Sequence, residues 1–110
     1  MRSLLELDQG KIPIMEAIRR YLAEDPVRMH MPGHKGGRGA AQVLLDLLGE
    51  APFQADLTEV PGLDDLHQAK GPIGQAQKLA AEAFGAAETF FLVNGASAGI
   101  HGALLALAAP

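Results

Sequence analysis

One stretch, ETFFLV at Glu88 to Val93, limits the possible folds more than any other. Its apolar residues run on without alternation, so it reads as a strand of a parallel sheet buried on both faces. Such a strand needs neighbours to satisfy its backbone, and the rest of the 110 residues offers hardly another candidate. The expectation is therefore an α/β protein that lacks part of its own sheet. Asn94-Gly95, a cluster of small residues and an Ala- and Leu-rich run to Ala108 follow, predicting a tight loop and then a helix. In α/β proteins chemistry is often found where a strand gives way to a loop and a helix.

Upstream the pattern is helical. Ile14, Ile18 and Leu22 recur at helical spacing behind Pro13, with Arg19 and Arg20 off that stripe, so an amphipathic helix is expected to end before Pro26. Pro32 and a run of glycines make Met29 to Gly39 an irregular loop. A second helix is expected from about Ala40 to Leu48, stopped by Gly49. Residues 52–71 are dense in polar side chains and, with Pro61 and Gly62, cannot form one regular element. Pro72 suits the start of a third helix with Ile73, Ala76, Ala80 and Phe84 on one face and Gly85 at its end.

Composition narrows the class. With 48% apolar and 20% charged residues the chain should be globular, and its length allows one domain at most. The formal net charge is -4 and the nine Lys and Arg are scattered, which argues against a nucleic-acid partner. No window reaches the roughly 18 consecutive apolar residues of a membrane span. The N-terminal MRSLLELDQGK carries acids where a signal peptide has its apolar stretch, so a cytoplasmic protein without membrane contact is expected. The absence of cysteine removes disulfides, thiolate catalysis and Cys-ligated zinc. His30 and His34 have a ligand spacing only if helical, and Pro32 and Gly33 forbid that, so no metal site is expected.

Gly95, Ser97 and Gly99 match the GxSxG pattern of a nucleophile elbow, and HKGG at His34 to Gly37 is weakly similar to an esterase oxyanion segment. A triad of that kind needs an acid and then a histidine later in the chain. After Ser97 there is His101 and no acid, so the hydrolase reading comes last. An anion needs less. The first amides of a helix lack intrahelical partners and carry partial positive charge, and Gly95, Ala96 and Ser97 let an anion come close. Spacing alone leaves this open against the plainer reading that Ser97 only caps the helix.

Four segments taken together carry a resemblance: HMPGHKGG (His30 to Gly37), DLTEVPGLDDLH (Asp56 to His67), GPIGQAQKLAAEAFGA (Gly71 to Ala86) and TFFLVNGASAGI (Thr89 to Ile100). In order and spacing they resemble the N-terminal part of the Orn/Lys/Arg decarboxylase family, from about residue 11 onward. The resemblance implies an aspartate aminotransferase-like fold and pyridoxal 5'-phosphate as cofactor in the full-length enzyme. It also implies removal of the α-carboxylate of arginine, lysine or ornithine, toward polyamines. Residues 1–50 would form an N-terminal helical arm with the HMPGHK loop, and 51–110 the start of the cofactor-binding large domain. That start is the first strand-loop-helix unit.

By the same resemblance Gly95, Ala96 and Ser97 hold the cofactor phosphate. Ala96 stands where the family usually has a first hydroxyl residue, which leaves Ser97 as the side-chain donor. The HMPGHK and DLTEVPGLDDL segments are implied to lie near the active site at a homodimer or larger homo-oligomer interface. His34, Lys35, Asp56, Glu59, Asp64 and Asp65 are thus substrate or interface candidates; the acids suit the cationic end of a basic amino acid, although acids in a proline-containing loop more often cap turns or face water. Lys35 with Arg38 also suits a carboxylate or phosphate, though a solvated charge in a glycine loop is the plainer account. The family's Schiff-base lysine lies well beyond the phosphate loop, whereas the four lysines here, Lys11, Lys35, Lys70 and Lys78, all precede Ser97. The chain is therefore expected to be a fragment or truncated product, inactive alone. A non-catalytic dimerising or binding remnant of the family is the alternative.

Overall fold

The structure, a computed structural model, describes residues 7–108. The MRSLLE stretch used above in judging the N-terminus, and the last two residues, lie outside them. The described residues form five α-helices: α1 (Pro13–Glu24), α2 (Gln42–Leu48), α3 (Ala51–Ala55), α4 (Pro72–Phe84) and α5 (Gly95–Ala108). Two 3-10 turns, at Lys35–Gly37 and Leu66–Gln68, complete the regular structure.

The helix ends follow from local chemistry. Pro13 and Pro72 open α1 and α4, where a missing N–H costs nothing and the fixed φ suits the first turn. Asp25 closes α1 in the left-handed region at φ 41°, its N–H reaching the Leu22 carbonyl at 3.2 Å. Gly49 (φ 71°) and Gly85 (φ 64°) end α2 and α4 as expected.

α1 packs mainly on α4, while α3 touches α1 and packs on the Lys35–Gly37 turn. The apolar core is small: Ala17, Tyr21 and Ala81 are its buried side chains. Residues before α1 strap it to α4. Leu7 N–H donates to both Glu82 carboxylate oxygens, at 3.0 and 3.1 Å, and Gln9 Nε2 donates to Glu82 Oε2 at 2.7 Å and to the Leu79 carbonyl at 3.1 Å. No helix among the described residues is long and apolar enough to cross a membrane.

Three expectations need correction. The most buried line of α1 is Pro13, Ala17 and Tyr21, with Ile14, Ile18 and Leu22 half-buried beside it. On α4 the buried residues are Gly74 and Ala81, and Phe84 at the last position is 85% exposed rather than part of a buried face. At Gly74 the missing side chain lets the Ala69 carbonyl lie against the helix. The third correction concerns the strand. Residues 88–92 belong to no regular element, and no strand exists among the described residues, so the fold seen is helical rather than α/β. A strand persists only as one rung of a ladder, and no second segment supplies the other. Phe90 is consequently 70% exposed, and Ile100, Leu104, Leu105 and Leu107 of α5 are exposed too.

Candidate functional site

The phosphate-loop candidates sit at the start of α5, which begins at Gly95 itself. Asn94 (φ 66°) and Gly95 (φ 76°) take the left-handed turn. Ala96 and Ser97 then occupy the first helical turn, so Ser97 is not the capping residue one place before the helix. All three of Gly95, Ala96 and Ser97 are exposed, and a Cβ built on Gly95 would meet nothing within 4 Å. The elbow reading fails on this geometry, since there the nucleophile itself occupies the strained turn. Here the strained residues are Asn94 and Gly95, and Ser97 is plainly helical.

The HMPGHK loop is held by its two histidines. His30 Nε2 meets the Tyr21 hydroxyl, with the rings 5.8 Å apart edge to face, and His30 Nδ1 meets the Met31 carbonyl. His34 Nδ1 accepts from Gly37 N–H at 3.3 Å, so its proton is placed on Nε2, which donates to Asp56 Oδ2 at 3.1 Å. The His34 ring also meets Phe53 edge-on at 5.3 Å. Two candidates 22 residues apart are thereby brought together. Lys35 stays with its own loop, its ammonium donating to the His30 carbonyl.

The acids of DLTEVPGLDDL satisfy backbone groups. Asp64 (φ 83°) accepts from the N–H groups of Asp65, Lys70, Gly71, Ile73 and Gly74 at 2.8–3.2 Å. Ile73 and Gly74 lie in the first turn of α4, so Asp64 is its remote cap. Burial alone would raise the carboxyl's pKa, but the bonds from Lys70, Asp65, Gly74 and Gly71 outweigh that and lower it from 3.8 to about 2. Asp65 Oδ1 accepts from His67 N–H at 2.8 Å and Glu59 Oε1 from Leu66 N–H at 3.0 Å, together closing the second 3-10 turn. Asp64 and Glu59 also line an apolar cleft of about 410 Å³ with Ile14, Ile18, Ile73 and Phe91. Among the described residues no three His, Asp or Glu side chains gather as a metal site would require.

Energetically the His34–Asp56 pair is asymmetric. The Asp56 side chain is 61% exposed and that of His34 18%. Asp56→Ala is expected to cost no more than about 1 kcal/mol. His34→Ala should cost about 1 to 2 kcal/mol, since it also removes the Phe53 contact and the Gly37 bond. Urea denaturation of both variants checks the order. Sequence reasoning passed over Arg28, whose guanidinium carbon lies 5.6 Å from the Tyr21 ring centroid. No local motif marks it, because the contact depends on how the loop folds back.

Comparison with known proteins bears on the same segments. The family model described as Orn/Lys/Arg decarboxylase, major domain, matches residues 12–110. An arginine decarboxylase of Bacillus subtilis is 41% identical over 104 residues, covering 94% of this chain. A lysine decarboxylase of Pseudomonas aeruginosa is 35% identical over 91 residues (77% of the chain), and an ornithine decarboxylase of Haemophilus influenzae 34% over 104 residues (89%). The chain spans 21% of the length of the first of these, 12% of the second and 14% of the third. No solved structure matches. With the family match running across the HMPGHK loop, the Asp64 turn and the Gly95 helix start alike, the chain belongs to the Orn/Lys/Arg decarboxylase family.

Proposed function

We propose that this chain is the N-terminal part of a pyridoxal-phosphate-dependent decarboxylase of a basic amino acid, and that Gly95, Ala96 and Ser97 hold the cofactor phosphate. One observation carries the proposal: a 14-residue helix opens at Gly95 with Gly95, Ala96 and Ser97 exposed and open space beside Gly95. Four N–H groups there lack intrahelical partners, and the helix dipole favours a dianion. The residues present fit a phosphate. Ser97 adds a hydroxyl donor, and Asn94 and Gly95 supply the left-handed turn that leads into the helix.

When bound, the cofactor supplies an electron sink for the carbon from which carbon dioxide departs. The residues of this chain do the holding. Asp64 fixes the start of α4 and Glu59 and Asp65 close their loop, so we give these acids a structural part. His34 and Asp56, locked to one another, are the pair we assign to the substrate region or the subunit interface. The exposed Phe90 to Val93 and the leucines of α5 suit burial in a larger α/β domain, with ETFFLV as a strand once it has neighbours.

The chain alone is expected to release no carbon dioxide from carboxyl-labelled arginine, lysine or ornithine, and borohydride should trap no pyridoxyl group on a particular lysine. Both signals together would overturn the proposal of inactivity. Ser97→Ala should weaken binding of inorganic phosphate at α5 roughly 3- to 10-fold, read from amide shifts of residues 95–98. The exposed apolar residues favour one second reading, a non-catalytic dimerising module. Dimers that form without any phosphate affinity at α5 would move that reading ahead.

A further inference from the structure

Among the described residues, Nη1 of Arg28 is a buried side-chain donor without a hydrogen-bond partner. Its guanidinium is closely packed. The carbon lies 5.6 Å from the centroid of the buried Tyr21 ring, and Gly36 also lies against the group. Gly36 has φ 71°, which favours glycine, and a Cβ there would come to 2.5 Å from Nη1, so the loop backbone lies close against the arginine. An enclosed cationic donor without an acceptor is unfavourable unless something else meets the group.

Arg28 also lines a cavity of about 880 Å³ with Lys35 and Arg38. Asp25 and Glu50 are on the same wall, yet among the described residues neither forms an ion pair with any of the three cations. The wall therefore carries a net charge of +1, three cations against two carboxylates. Lys35 is committed to the His30 carbonyl, which leaves Arg38 and the part of Arg28 that lines the cavity. Planar forks match the paired oxygens of phosphate and carboxylate groups.

The geometry points to an oxyanion-binding site in this cavity, in which Arg28 and Arg38 take the phosphate or carboxylate group of a small ligand. It uses residues other than Gly95 to Ser97 and does not rest on the decarboxylase reading. The test is a titration of the 15N-labelled chain with inorganic phosphate and, separately, with acetate. The expected result is saturable shifts of the Arg28 side-chain Nε–H and of the amides of residues 35–39. Arg28→Gln should weaken them about tenfold and the exposed Arg38→Gln about threefold. Stronger binding of one anion names the source group. Because Arg28→Gln also removes the Tyr21 contact, Arg38→Gln and the mapping on the unaltered chain decide if that variant unfolds. Shifts confined to Gly95–Ser97, no saturable shift with either anion, or shifts unchanged in Arg38→Gln would each overturn the inference. The first of those outcomes would leave the phosphate-loop proposal standing.

Discussion

Replacing Asp64 with alanine is expected to destabilise the fold by about 2 to 4 kcal/mol, far more than a half-exposed acid normally contributes. Five backbone N–H groups, from Asp65, Lys70, Gly71, Ile73 and Gly74, converge on this carboxylate. Deleting it leaves the first turn of α4 and the chain leading into it without acceptors. α4 is also the helix on which α1 packs, so the loss spreads to the contact holding Tyr21 and Ala81. With so small a core, a loss of this size is a large part of any stability the chain has. Thermal or urea denaturation followed by circular dichroism checks it, and a change under about 0.5 kcal/mol, as for an ordinary surface site, would refute the capping role.

The same carboxylate sets an acid limit. Its pKa in the fold is about 2, below the ordinary 3.8. A lowered folded-state value means that the ionised form is favoured by folding, so the contribution is complete above the ordinary value. It is lost as pH falls from there through about 2. Asp64→Asn keeps the shape and some acceptor capacity but lacks the charge. Its stability should show a correspondingly flatter slope in that acid window while starting lower at neutral pH.

What could be read in advance was local. Pro13, Pro72, Gly49 and Gly85 mark their helix ends because proline and glycine act through their own backbone angles. The His34–Asp56 pair was not legible, since the partners are 22 positions apart and meet only through the way α2, α3 and their connecting turns fold back. For Asp64 a turn-capping part could be read from its proline-containing loop, but not that it caps α4, because Pro72 lies eight residues on and capping patterns look at the residue just before a helix. The strand reading failed for a different reason. An apolar run such as ETFFLV records the surroundings in which it is stable, and those surroundings are not among the described residues. α5 has the same character, apolar nearly all round like a helix meant for a larger core.

Two glycine-to-alanine changes should separate packing from propensity. In a helix interior alanine normally gains up to about 1 kcal/mol over glycine. Gly74 and Gly99 lie in α4 and α5, and a Cβ at either would meet an atom at about the same distance, 2.6 Å and 2.5 Å. At Gly74 that atom is the Ala69 backbone carbonyl oxygen, with its carbon at 2.9 Å. Ala69 is pinned where it is, because the next N–H, from Lys70, is one of those bound to Asp64. The backbone must move, and Gly74→Ala should destabilise by about 2 to 3 kcal/mol despite the better helix former. At Gly99 the atom is the end of the exposed Leu92 side chain, which can rotate away. Gly99→Ala is therefore expected to be neutral or to raise helicity. Denaturation midpoints and far-ultraviolet circular dichroism of the two variants, measured side by side, test the contrast. Equal effects of one sign would mean that α4 does not approach Ala69 as closely as this geometry requires.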